Sequence, residues 1–293
     1  MPRPVPVPAA QTQQLLSQGL GIRVRDFRCR QHPHDREGPE ETVPVHSIVL
    51  IRRGVFRRSW RGESLVADAN HLLFFNPGEP YRYAHPLAGG DDCTVLELPE
   101  ALARELMQRH VPRAGRGEGS LFPWGHALAS RRAVRLHWEL LRLIRRGAPG
   151  LPIEDALSQL TVEALESGPP LRRHAASTGS ETSRRRRELT EETKLLLNRR
   201  LDAPPSLANI AADLACSPFH LSRIFRTTVG VTMRQYLGSL RTRAVARHLS
   251  EHAADLTRLA LGMGYADHSH LTNSFRREFG VPPSTFRAAA QAD

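Results

Sequence analysis

Two stretches of this chain, Ser217-Pro218-Phe219-His220-Leu221-Ser222-Arg223-Ile224-Phe225-Arg226 and Asp267-His268-Ser269-His270-Leu271-Thr272-Asn273-Ser274-Phe275-Arg276-Arg277-Glu278-Phe279, follow one pattern. Each opens on a residue whose side-chain oxygen can accept a hydrogen bond from a first-turn amide, which marks a helix start. In the first, Pro218 takes the first helical position, where a missing N–H costs nothing. Leu221, Ile224 and Phe225 make an inward stripe in one helix, and Leu271, Phe275 and Phe279 make it in the other. Phe219, Ser222, Arg223 and Arg226 are left facing outward in the first helix. In the second, His268, Ser269, His270, Asn273, Arg276 and Arg277 lie on or near the surface.

A shorter helix precedes each stretch. Ser206 caps Leu207 to Leu214, and Asp255 caps Leu256 to Met263, after which Gly264 fits a left-handed closing position. Ala211 and Ala260 stand at matching places, as do Gly230 and Gly280. A connecting helix at about 232–249 carries Tyr236, Leu237, Leu240, Ala244, Val245 and Leu249. A further helix from Leu189 ends at Ala203-Pro204-Pro205. The result is a twofold repeat of about 50 residues. A short helix, a tight turn and a second helix with an arginine-bearing outer face is a shape that enters a DNA major groove.

The residues from about Ser206 to Arg287 resemble the DNA-binding domain of AraC/XylS-type transcriptional regulators. The first half does so through Ser217 to Phe225, Gly230, Tyr236-Leu237, Arg241 and Ala244. The second does so through Ala260-Leu261-Gly262-Met263-Gly264-Tyr265-Ala266-Asp267, the helix that follows, Gly280-Val281-Pro282-Pro283 and Phe286-Arg287. Tyr265 and Leu271 stand where the family usually has phenylalanine. The resemblance implies a sequence-specific regulator, most often an activator, whose two recognition helices enter adjacent major grooves about 34 Å apart. Base reading then falls to Phe219, Ser222 and Arg223 and to His268, Ser269, His270 and Asn273. Arg223 suits a guanine, Asn273 an adenine and Phe219 a thymine methyl. Arg226, Arg276 and Arg277 suit phosphates.

The expected architecture is multidomain α+β. Residues 1–166 form a cupin-like sensor domain, 167–188 a flexible basic linker containing Arg184 to Arg187, and 189–293 an all-α domain. Its helix-turn-helix units lie at about 207–227 and 256–279. Between residues 43 and 98, short β-rich runs include Val43 to Ile51, Val55-Phe56, Leu72 to Phe75 and Thr94 to Leu98, the pattern of a small sandwich or barrel. Helical periodicity follows at Leu102 to Met107, Val134 to Ile144 and Ile153 to Leu165. The middle helix is apolar on more than one face, which fits packing on the barrel or pairing with a second copy. Arg53-Gly54-Val55-Phe56, Phe75-Asn76-Pro77-Gly78-Glu79-Pro80 and His85-Pro86-Leu87-Ala88-Gly89-Gly90 are similar to the cupin-like sensor domains that many such regulators carry. This likeness implies a cavity for a small-molecule effector, with Phe56, Trp60, Phe74, Tyr81 and Tyr83 as candidate lining.

Composition agrees. The 293 residues are 40% apolar and 24% charged, which excludes wholesale disorder. The net charge of +11 suits a polyanionic partner, and 40 of the 41 basic residues are arginine, Lys194 being the exception. The absence of a long apolar run and of a leader-like N-terminus points to a cytoplasmic, nucleoid-associated protein with no membrane partner. Cys29, Cys93 and Cys216 lack C-x-x-C spacing and read as free thiols. No phosphate loop, catalytic triad or nucleophile elbow is present, so neither an enzyme nor a cofactor is expected. His32, His34, His46 and His85 are the candidates for a metal, but His32-Pro33-His34 falls in a polar, proline-interrupted loop, and none is expected. The expected partners are a double-stranded operator, RNA polymerase, a small effector and a second copy through the N-terminal helices. The alternatives are a metal-dependent cupin enzyme with a DNA-binding appendage and a non-specific architectural DNA binder.

Overall fold

The computed structural model describes residues 11–34, 36–112, 120–169, 181–252 and 255–291. The chain divides into two compact units, Met1–Pro170 and Leu171–Asp293. No helix among the described residues is long and apolar enough to cross a membrane.

The first unit runs β1 (Gln11–Gly19), β2 (Ile22–Cys29), β3 (His46–Arg53), β4 (Phe56–Trp60), β5 (Glu63–Ala67), β6 (His71–Phe75), β7 (Arg82–Ala84), β8 (Asp91–Leu98), α1 (Glu100–His110), β9 (His126–Leu128), α2 (Arg131–Arg145) and α3 (Gly150–Glu166). The strands do not close into one barrel wall. They form a six-stranded antiparallel sheet in the order β1-β2-β8-β3-β6-β9 and a three-stranded sheet in the order β5-β4-β7.

The large sheet is covered on both faces, which explains the unbroken apolar runs of β3 and β6. Side chains alternate across a strand. Ile48, Leu50, Leu72 and Phe74 therefore join Met107, Leu140, Leu157 and Leu160 of the helices. Val49, Ile51, Leu73 and Phe75 pack with Phe56, Trp60 and Leu65 of the small sheet. The candidate effector lining divides by the same rule: Phe56, Trp60, Tyr81 and Tyr83 gather between the sheets, whereas Phe74 points to the helices.

Two strands precede residue 43, where the sequence first suggests one. In β2 the sequence Ile-Arg-Val-Arg-Asp-Phe-Arg-Cys buries Ile22, Val24, Asp26 and Cys29. Strand β1 is a polar edge strand, paired from Gln11↔Cys29 to Gly19↔Ile22, and it has almost no apolar periodicity to read. In α2, Val134, Trp138 and Leu141 are already buried within the chain, so its second apolar face is spent internally.

Arg58 of β4 is 1% exposed and joins the two sheets. Its Nη1 donates to the carbonyls of Phe74 at 3.1 Å and Gly125 at 2.9 Å. Its guanidinium lies 3.7 Å from the Phe75 ring centroid and 4.7 Å from that of Trp60. Burial pulls its pKa down to about 10, which leaves it charged at neutral pH.

The second unit runs α4 (Glu181–Arg199), α5 (Leu207–Asp213), α6 (Pro218–Val229), α7 (Met233–Glu251), α8 (Leu256–Gly262), α9 (His268–Phe279) and α10 (Pro283–Gln291). Helix α4 begins at Glu181, not Leu189, so Arg184 to Arg187 stand on a helix where a linker was expected. Arginine is a good helix former, and Glu188 pairs with Arg184 at 3.0 Å and Arg185 at 3.8 Å, supporting these turns from within. Further along, Lys194 is buried against Glu191, with Nζ 2.9 Å from Oε1.

Replacing Arg58 with methionine keeps much of its volume but removes its bond to the buried Phe74 carbonyl and one of the two donors to the carbonyl of Gly125, which also accepts from the Phe74 amide. Urea unfolding of the full chain should show a loss of about 2–4 kcal/mol from the N-terminal transition. An unchanged midpoint would mean that Arg58 does not hold the sheets together.

Candidate nucleic-acid interface

Four side-chain caps set the starts of α5, α6, α8 and α9. Ser206 accepts from the Asn209 amide at 3.1 Å and Ser217 from that of His220 at 3.2 Å. Asp255 accepts from the Arg258 amide and Asp267 from that of His270, both at 2.7 Å. Helices α6 and α9 also end alike. Gly230 (φ +89°) and Gly280 (φ +79°) take left-handed conformations and donate to the carbonyls of Arg226 at 2.9 Å and Arg276 at 2.8 Å.

The two helices can therefore be overlaid from cap to cap at an offset of 50 residues, Pro218 onto His268. Leu221 meets Leu271 and Phe225 meets Phe275, all buried. On the other side, Phe219 falls on Ser269, Arg223 on Asn273 and Arg226 on Arg276, all exposed. Phe219 is 78% exposed, which excludes a role in covering the core edge. Ser222 is exposed, while its counterpart Thr272 is half-buried, with its hydroxyl turned inward. Thr272 is a departure from symmetry that spacing alone did not reveal.

His268 and Arg277 are exposed beside this line. His270 is exposed too, but its ring stands edge-on to Tyr265 at 5.2 Å and its Nδ1 lies 3.5 Å from the Ala266 amide. Its ring thus also supports the turn that leads into α9.

Helix α7 ties the two helix-turn-helix units together. It starts on a capping box between Thr232 and Gln235. Arg241 Nε donates to the Leu201 carbonyl at 2.6 Å and Nη2 to that of Asp202 at 3.3 Å, holding the loop that leads into α5. The same loop touches the second turn: a Cβ on Gly264 (φ +73°) would fall 2.2 Å from the Asp202 carbonyl oxygen. Thr242 and Tyr265 share a hydrogen bond of 3.0 Å, so the hydroxyl at the position where phenylalanine is usual has a partner. Burial raises the Tyr265 pKa, which keeps that hydroxyl protonated. Arg243 reaches α9, with Nη2 3.0 Å and Nε 3.2 Å from Glu278 Oε1, and both residues are buried.

The metal candidates of the first unit do not converge as a set. His32 is exposed, and His46 is buried with its ring 5.2 Å from that of Phe122. His34 and His85 do meet, at 5.8 Å between ring centroids.

A family model described as an AraC-binding-like domain matches residues 21–167, half of the chain, and one described as a helix-turn-helix domain matches residues 210–289. The chain belongs to the AraC/XylS family of transcriptional regulators. The multiple antibiotic resistance protein MarA of Escherichia coli is 31% identical to this regulator over 87 residues, which are 30% of this chain and 68% of that protein. The transcriptional activator RhaS of Escherichia fergusonii is 39% identical over 84 residues, 28% of this chain and 30% of its own. Among solved structures, ToxT of Vibrio cholerae aligns with 93% of the regulator and 100% of its own chain at a TM-score of 0.35 and 11% identity.

Glu278→Ala leaves the Arg243 charge buried without its carboxylate and should destabilise the C-terminal unit by about 3–5 kcal/mol. Adding Arg243→Met removes the stranded charge and should recover part of that loss, as read from the two thermal midpoints. A double variant no more stable than the single one would show that the pair acts only through packing.

Proposed function

We propose that this chain is a transcriptional activator that reads two successive major grooves with α6 and α9, and that a small molecule bound by the Met1–Pro170 unit modulates it. The shared cap register of α6 and α9 carries this reading, because it sets exposed groups able to read bases on matching lines. Arg223 forks onto a guanine edge, Asn273 onto an adenine, and Phe219 lies against a thymine methyl. Ser222, His268, Ser269 and His270 complete the base-reading set. Arg226, Arg276 and Arg277, toward the helix ends, hold phosphates. Helix α7, 19 residues and so about 28 Å long, is of suitable length to span adjacent grooves on one side of the duplex.

Activation, with contact to RNA polymerase in the cytoplasm, is proposed because the related RhaS protein is named as an activator. Residues 1–166 serve as the sensing part and not as an enzyme, and effector recognition is assigned to the layer between the sheets, where Tyr81 and Tyr83 accompany Arg58. Pairing of two copies through α2 is not part of the proposal, since that face is already buried.

Selection from randomised duplexes with the full chain should yield a defined operator. Arg223→Ala should then cost about 1–3 kcal/mol on that operator and relax preference at one base pair, whereas Arg226→Ala should weaken operator and scrambled DNA alike. Equal losses on both duplexes for Arg223→Ala would remove it from the base-reading set. Recovery of no preferred sequence would favour the architectural alternative.

Changing Arg184 to Arg187 to glutamine should lower the slope of log affinity against log salt by about 1–2 without altering the selected sequence. A changed sequence preference would instead make this turn of α4 part of the reading surface.

A further inference from the structure

Three strand ends bring three different metal-binding side chains to one point. Cys29 closes β2, His85 follows β7 and Asp91 opens β8. They are 1%, 1% and 3% exposed, and one potential ligand atom from each lies within 4.8 Å of the others. His85 Nε2 is 2.7 Å from Asp91 Oδ1, and the Cys93 thiol is 3.2 Å from Asp91 Oδ2. The other ring nitrogen of His85, Nδ1, is buried with no hydrogen-bond partner. A buried ring nitrogen without a partner, on an imidazole whose other nitrogen meets a carboxylate, points to a missing water or ion.

The surrounding backbone is held close. A Cβ on Gly90 would fall 1.9 Å from the Cys29 carbonyl oxygen, so only glycine allows β2 and the start of β8 to approach this way. Arg30 Nη1 bonds the carbonyls of Cys29 at 3.0 Å and Asp91 at 3.3 Å and lies 2.6 Å from Asp92 Oδ1, fixing the frame from outside. The His85 ring is flanked by Tyr83 at 5.4 Å and Phe56 at 6.2 Å, which limits its rotation.

We propose that Cys29, His85 and Asp91 bind a single transition-metal dication, best suited to Zn2+, with the Cys93 thiol as the adjacent fourth donor. Thiolate and imidazole donors disfavour Mg2+ and Ca2+, and a mixed sulfur, nitrogen and oxygen set of three or four matches tetrahedral zinc. On binding, the Cys29 thiol proton passes to solvent, along with that of Cys93 when it ligates; His85 would ligate through Nδ1 as a neutral imidazole that keeps its Nε2 proton toward Asp91, so two or three anionic ligands face the dication. Since His85 belongs to the small-sheet side and Cys29 and Asp91 to the large sheet, the ion would join the two sheets of the sensing unit. The site does not depend on how α6 and α9 read DNA.

The test uses the full chain stripped with chelator, loaded with Zn2+ or Co2+ and assayed by elemental analysis and absorbance. One equivalent of zinc and an intense near-ultraviolet sulfur-to-cobalt band are expected. Cys29→Ser and Asp91→Asn should each weaken binding by about 100-fold or more, and the thermal midpoint of the N-terminal transition should rise with zinc. Cys216→Ser should change nothing. Loss of the band in Cys93→Ser would support thiolate ligation at this point, and its persistence there but not in Cys29→Ser would support a three-ligand site. Absence of the band in the wild-type protein, which needs no variant to fold, overturns the proposal. So does zinc retained at full affinity by both ligand variants, which would mean an adventitious ion on exposed histidines such as His32.

Discussion

The C-terminal unit depends on the buried side of α7 touching both helix-turn-helix units at once. Arg241 holds the Leu201–Asp202 carbonyls before α5, and Thr242 and Arg243, its immediate neighbours, hold Tyr265 and Glu278 around α9. Three consecutive residues thus tie the loop that leads into α5 to the turn before α9 and to α9 itself. The close approach of Gly264 to Asp202 leaves no space for a side chain and makes the contact between units direct. With the spacing fixed in advance, binding in the proposed two-groove mode would not have to overcome the entropy of bringing two loose modules into register.

Much of this unit was legible because its signals are local. Ser206, Ser217, Asp255 and Asp267 announce their helices by capping chemistry, and the inward stripes at Leu221, Ile224 and Phe225 and at Leu271, Phe275 and Phe279 need only a helical period. What escaped was tertiary. The use of the Tyr265 hydroxyl, the inward turn of Thr272 and the buried Arg243–Glu278 pair follow from neighbours distant in sequence. The start of α4 was missed because an arginine run reads equally as a solvated linker until Glu188 is seen to pair back along the helix.

In the Met1–Pro170 unit the strong strands were legible from composition, as β3 and β6 show, but the sheet edges were not. Strand β1 is specified by pairing with β2, and the polar sequence Gln-Thr-Gln-Gln carries no trace of that partner. Phe74 and Phe75 illustrate the same limit on the site: they are adjacent, equally apolar and both buried, yet only register decides that Phe75 meets Arg58 while Phe74 meets the helices. Among the histidines, His85 gained its neighbours from strand ends far apart in the chain. Asp91, the residue that completes the cluster, stood in a Gly-Gly-Asp-Asp stretch that reads only as a turn.

The lone lysine has a consequence of its own. Its ammonium is sequestered against Glu191 inside α4, so every basic side chain available to a polyanion is a guanidinium. Such a surface keeps its charge across the whole physiological range and presents no side-chain amine for acylation. Lysine acetylation therefore has no foothold for loosening this regulator's hold on a duplex.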